Sequence, residues 1–214
     1  MMWASSMIKT LRHQGREIRF YEFERDLSSG IALDVRYART DNFIGVRVYP
    51  EARVFLLEHV ARDLLSVRDS VAKHGFGLLL FDGYRPWSVS KYFWDHSSDE
   101  VREFLADPAE GSAHNRGCAV DLSLFHLSGG EPVGMPSDFD EMNAKSWRDY
   151  PGGEPAARQA RDLLRDAMEK NGFSGIPNEW WHFNHGSRHE WPVMDFGLPE
   201  IAQAPQTPPR PRES

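Results

Sequence analysis

Gly111-Ser112-Ala113-His114-Asn115-Arg116-Gly117-Cys118-Ala119-Val120-Asp121-Leu122-Ser123-Leu124-Phe125 leads from a turn-rich loop into a strand. Successive side chains of an extended segment point to opposite sides, so Val120, Leu122 and Leu124 share one face and Ala119, Asp121 and Ser123 the other. A carboxylate inside such a strand is uncommon unless it is solvated or paired. His114 precedes Asp121 across a Gly-containing loop that can fold back and bring both to one point. An imidazole is a good borderline ligand for zinc, and a carboxylate is a hard one. The bland reading is a loop His and a solvent-facing Asp, and spacing alone leaves both open.

Outward from this stretch the chain alternates in pattern. Upstream, Phe76-Gly77-Leu78-Leu79-Leu80-Phe81 reads as a buried strand that ends at Asp82-Gly83-Tyr84-Arg85-Pro86. Before it, Val54, Leu57, Val60, Ala61, Leu64, Leu65 and Val71 recur near the helical period, so residues 51–73 are expected to be a helix. Pro50 stands before its start and Gly75 at its stop. Residues 16–24 alternate Ile18 and Phe20 against polar neighbours and read as a strand. Residues 31–49 read as a short strand or an irregular loop. Short helices are expected over 88–96 and 99–106, and a loop over 107–118. Residues 128–153 are loop-rich. Ala157, Ala160, Leu163, Leu164, Ala167 and Met168 make 154–170 an amphipathic helix, and Glu179 to Phe183 reads as a last strand. Helices and strands mix without a βαβα rhythm, which points to an α+β fold. Residues 1–15 are expected to be a loose lead-in and 16–200 one domain. The Pro-rich residues 201–214 are expected to be a disordered tail.

Composition narrows the partners. The 214 residues suffice for one domain with its own core, to which seven Trp and thirteen Phe bring large apolar area. The formal net charge of −7 argues against a nucleic-acid partner, which would want a basic face. The single cysteine, Cys118, can form no internal disulfide, so no oxidising compartment is demanded. No secretory-type leader and no run of apolar residues long enough to span a bilayer is visible, and a cytoplasmic location is expected.

Two further segments place rare polar groups at the ends of apolar elements. In Glu179-Trp180-Trp181-His182-Phe183, His182 would complete a three-ligand set with His114 and Asp121. The fourth position would then be open to water, as in catalytic zinc sites. Glu179 would be the base that deprotonates that water. Residues three apart point to opposite faces of a regular strand, so Glu179 needs a bulge or a place at the strand entry. Otherwise the segment is a Trp-rich core strand with a buried His. In Asp82-Gly83-Tyr84-Arg85-Pro86, Arg85 could stabilise an oxyanion or bind a carboxylate; it could also be a solvated residue of a plain turn. HExxH, CxxC, GxSxG and Walker A patterns are all absent, which removes the commonest rival chemistries. A nucleophilic Cys118 paired with His114 is the one alternative at the same site.

Taken together, the three segments resemble the D-alanyl-D-alanine dipeptidases of glycopeptide resistance, within the zinc D,D-peptidases that share a fold with the Hedgehog signalling domain. Ser112, His114, Gly117, Ala119 and Asp121 meet the pattern Ser-x-His-x-x-Gly-x-Ala-x-Asp. Glu179 and His182 meet Glu-x-x-His, and Gly83 to Pro86 meet Gly-Tyr-Arg-Pro. Weaker echoes lie in Tyr37 to Gly45, Phe139-Asp140 and Asn171-Gly172-Phe173. The likeness spans roughly residues 16–198. It implies a central, mainly antiparallel sheet flanked by helices, and one Zn2+ per chain held by His114, Asp121 and His182. It implies Glu179 as general base and Arg85 as stabiliser of the tetrahedral intermediate. Ser112 and Asp140 would hold a small D,D-dipeptide substrate, with Asp140 on its amino terminus. Asn115 and Arg39 stand where the resemblance leads one to expect Ser and Thr. The rival expectations are a D,D-carboxypeptidase or endopeptidase acting on longer cell-wall peptides, and an inactive zinc-stabilised binding module.

Overall fold

The computed structural model describes residues 8–211. Its elements run β1 (Ile8–His13), β2 (Arg16–Phe23), β3 (Ile31–Leu33), β4 (Val54–Leu57), α1 (Glu58–Ala72), β5 (Phe76–Asp82), α2 (Trp87–Asp95) and α3 (Asp99–Arg102). They continue with β6 (Ala119–His126), α4 (Pro155–Glu169), β7 (Phe173–Ile176), β8 (Glu179–His185), α5 (Leu198–Gln203) and β9 (Gln206–Thr207). The class is α+β, as the patterning implies.

The larger sheet has the order β3-β5-β6-β8-β7 and is antiparallel except for the β3–β5 pair. Val120, Leu122 and Leu124 are fully buried on one face of β6. Helices α1 and α4 pack on that side, α1 against β5 and α4 against β6, β7 and β8. They contribute Val60, Leu64, Val67, Leu164 and Met168, all fully buried. Burying a side chain of this size stabilises by about 1.5–3 kcal/mol, which is why an amphipathic helix settles apolar side down. The opposite face carries Asp121, and Ser90 and Phe93 of α2 stand with it on the wall of one cavity.

A second sheet, β4-β2-β1-β9, was not anticipated from the sequence. Val54 to Leu57, expected to begin a helix, form β4 and pair with Phe20 to Phe23, and α1 starts at Glu58. Four consecutive apolar residues suit a doubly buried strand as well as a helix, and pairing decides between them. Ile8 to His13, expected to be loose, pair with β2 along their whole length. Of residues 201–214, expected to be a disordered tail, 201–203 end α5 and 206–207 form β9, while 212–214 lie outside the described residues. Arg62 and Arg210 then tie the tail to Glu58: Arg62 donates to both the Glu58 carboxylate and the Arg210 carbonyl, and the Arg210 amide donates to Glu58 at 2.7 Å.

The short β4 joins the two sheets through its backbone. The Phe55 carbonyl accepts from the Tyr84 amide at 2.7 Å, and the Leu57 amide donates to the Gly117 carbonyl at 3.0 Å. Both partners lie in turns that carry candidate site residues. The approach is close enough that a Cβ on Gly83 would sit 2.5 Å from the Phe55 carbonyl oxygen. Gly83→Ala is therefore expected to destabilise the protein by about 2 kcal/mol, a fall in Tm of roughly 4–8 °C by calorimetry. An unchanged Tm would show that the β4 contact is pliable.

Candidate active site

Three donors converge because of strand register. Asp121 on β6 lies directly opposite His182 on β8, so their side chains leave the sheet on the same side as cross-strand neighbours. His114 arrives from the loop before β6, in a short 3-10 turn of residues 114–116 closed by Gly117 at φ 66°. The ligand atoms of the three lie within 4.8 Å of one another, and all three residues are buried. His114 Nε2 is 3.1 Å from His182 Nδ1. Asp121 Oδ1 is 3.0 Å from His182 Nδ1, and Asp121 Oδ2 is 3.3 Å from His114 Nε2.

Hydrogen bonds behind the imidazoles fix which nitrogens face inward. His114 Nδ1–H donates to the Gly83 carbonyl at 2.6 Å, and His182 Nε2–H donates to Asn184 Oδ1 at 3.0 Å. The facing nitrogens are then lone pairs, aimed at each other and at a carboxylate. Only a cation between them satisfies that arrangement. Two imidazoles and a carboxylate, with outer partners orienting each ring, fit zinc. A proton can serve the same need: although burial opposes it, Asp121 raises the affinity of His182 for a proton.

Glu179 reaches this cluster through an irregular hairpin. Phe173 to Gly175 pair with His185 to Phe183, but Ile176 pairs with Glu179, where regular pairing would put His182. The three extra residues in β8 remove the alternation that would have separated Glu179 from His182. Glu179 Oε2 now lies 3.9 Å from His182 Nδ1. Burial pushes the Glu179 carboxyl up to about 7, against the opposing pull of His182. An acid with that value exchanges protons readily near neutrality.

Arg85 is buried beside the same cluster. Its Nε donates to Asp82 Oδ2 at 2.8 Å, and its Nη2 lies 3.4 Å from Asp121 Oδ2. A register shift between Leu80 and Asp82 sets Asp82 opposite Asp121, which is how both acids reach one guanidinium. Asp82 also accepts from Tyr49 OH and the Gly83 amide, each at 2.9 Å. Asn115, fully buried, donates from Nδ2 to the Arg85 carbonyl and to Ser90 Oγ. That residue thus braces the loop and does not line the cavity.

Ser112 and Asp140 also face the cavity, which has a volume of about 530 Å³. Ser112 Oγ accepts from the His114 amide at 3.2 Å, leaving its O–H free to donate. Asp140 has φ 61°, uncommon for a residue other than glycine. Its Oδ1 accepts from Tyr37 OH at 3.3 Å, while Oδ2 is buried with no hydrogen-bond partner among the described residues. Burial, reinforced by Asp121, raises the Asp140 carboxyl well above the usual range. Stacking of Phe139 on Phe81 and the Trp180 Nε1 bond to Ser137 hold this loop in place. Arg39 lies away from the cavity, paired with Asp34 and Asp41.

Cys118 is no rival. Its thiol faces Ser187 and the Arg116 carbonyl on the other side of β6 from Asp121, and burial pushes it up to about 12. Two useful residues went unassigned in the sequence. Asp82 stood three before Arg85, and Asn184 stood two after His182, on the same face by simple alternation.

The D-ala-D-ala dipeptidase family matches residues 19–197. The chain is 34% identical over 165 residues to the D-alanyl-D-alanine dipeptidase of Escherichia coli (strain K12), covering 77% of this chain and 83% of that one. It is 36% identical over 179 residues to the D-alanyl-D-alanine dipeptidase of Enterococcus faecalis (strain ATCC 700802 / V583), covering 75% and 89%. With the Enterococcus faecium enzyme of the same name, identity is 33% over 181 residues, covering 76% and 90%.

Asn184→Ala is expected to weaken zinc binding by roughly 10–100-fold, read by chelator competition, because the His182 ring loses its orienting partner. His114→Ala should abolish stoichiometric zinc. Full metal content in that variant would remove His114 from the ligand set.

Proposed function

The chain belongs to the D-ala-D-ala dipeptidase family, and on that premise we propose that it hydrolyses D-alanyl-D-alanine to free D-alanine, with one zinc ion held by His114, Asp121 and His182. The observation that carries the reading is the buried Glu179 carboxyl beside three inward-facing donors. A structural metal needs no acid next to it, so Glu179 also speaks against an inactive binding module.

Zinc bound there supplies Lewis acidity, which polarises the scissile carbonyl and brings the pKa of water towards ~7. Glu179 takes the proton from the attacking water and returns it to the leaving amine, so that one water is consumed and one amide bond broken. Arg85 stands ready-oriented by Asp82 and offers fixed positive charge to the oxygen on which negative charge develops. The Ser112 hydroxyl donates to the substrate. Asp140 Oδ2 receives the substrate's ammonium group, which supplies the cation this buried oxygen lacks. A blocked or extended amino terminus would leave that carboxyl oxygen buried without a partner, and this favours a free dipeptide over a longer wall peptide. The reading assigns the reaction to cell-wall peptide metabolism in the cytoplasm.

Glu179→Ala is expected to lower kcat for D-alanine release by about 10²–10⁴-fold with zinc content unchanged. Wild-type turnover in that variant would dismiss Glu179 as the base. Asp140→Asn should raise KM for the free dipeptide by roughly tenfold or more and affect an N-acetylated dipeptide far less. Parallel effects on both substrates would mean that Asp140 does not hold the ammonium.

A further inference from the structure

Three arginines line the cavity: Arg85, Arg116 and Arg188. Two of them are committed. Arg85 serves Asp82 and Asp121, and Arg116 donates to the Trp191 carbonyl at 2.6 Å and the Glu110 carbonyl at 3.1 Å. The side chain of Arg188, half-buried, makes no hydrogen bond or ion pair among the described residues. It is a guanidinium on a pocket wall without an anion.

The segment that bears it is held firmly. Arg188 belongs to the 3-10 helix Gly186–Glu190, directly after β8. Next to it, the Ser187 hydroxyl sits between two imidazoles, 2.7 Å from His59 Nε2 and 2.8 Å from His185 Nδ1. The other His185 nitrogen, Nε2, donates to Asp63 Oδ2 at 3.0 Å. On the far side Arg16 donates to the Glu190 carbonyl at 2.6 Å and lies over the Trp191 ring, which stacks on His59. A charged side chain with no partner on so well anchored a backbone is presented to something outside the chain.

We propose that Arg188 binds the C-terminal carboxylate of the dipeptide and so selects substrates that end in a free acid. This rests on the hydrolysis proposed above. A zwitterionic dipeptide brings two charges into the cavity, and Asp140 answers only one of them. Glu103 and Glu110 also stand on the wall and repel a carboxylate, so the anionic end needs a cation of its own. The planar fork of a guanidinium matches both carboxylate oxygens.

The test compares D-alanyl-D-alanine with its C-terminal amide on wild-type protein and on Arg188→Gln, zinc content being matched. Wild type is expected to prefer the free acid in kcat/KM by roughly 10–100-fold. Arg188→Gln should lose most of that preference, through a rise in KM for the acid with kcat little changed, while the amide is affected much less. Arg188→Lys should recover part of the preference. Equal losses on acid and amide in Arg188→Gln would overturn the carboxylate role and leave the hydrolysis standing. A wild type that turns over neither compound would overturn both.

Discussion

Two imidazole lone pairs 3.1 Å apart, with a carboxylate beside them, repel one another unless positive charge lies between. That constraint organises the molecule. Each group is braced from behind: His114 by the Gly83 carbonyl, His182 by Asn184, and Asp121 by the guanidinium of Arg85. The braces deny the rings the rotation that would relieve the repulsion. In a buried, low-dielectric setting such a cluster favours a cation between its donors.

The fold meets this constraint with backbone geometry. The β6–β8 register makes Asp121 and His182 neighbours, and the shift in β5 brings in Asp82. Three extra residues in β8 swing Glu179 to the side of His182. Strand β4 then pins the turns of Tyr84 and Gly117 by two main-chain bonds, fixing Arg85 and His114 relative to each other. The Arg85 amide itself donates to the His114 carbonyl at 3.1 Å, closing the connection.

Much of this was legible in the sequence, for identifiable reasons. Alternation placed Asp121 opposite Val120 and Leu122, and the same rule exposed the difficulty over Glu179, which a register irregularity resolves. The long periodic helices were readable because their apolar stripes are local. The second sheet was not, because β4 is a run of four apolar residues whose state is decided by a partner more than thirty positions away, at Phe20 to Phe23. Strand β1 was missed for a related reason: of its residues only Ile8 and Lys9 are buried, so alternation is weak. Asp140 rested on a resemblance over two residues. Its backbone conformation and its unpartnered oxygen are tertiary facts that no spacing announces.

Glu179, His182 and Asp121 stand on strands, whereas Ser112, Asp140 and Arg188 stand on connections at their margins. This division separates two kinds of inheritance. The connections bearing Asp140 and Arg188 can be lengthened, shortened or exchanged while the hydrolytic step keeps its spacing, since no member of the donor cluster lies on them; the connection of Ser112 also carries His114 and is tied to that cluster. A descendant of this chain could thus change its diet, from dipeptide to longer peptide, by redrawing the rim alone, without relearning how to break the bond.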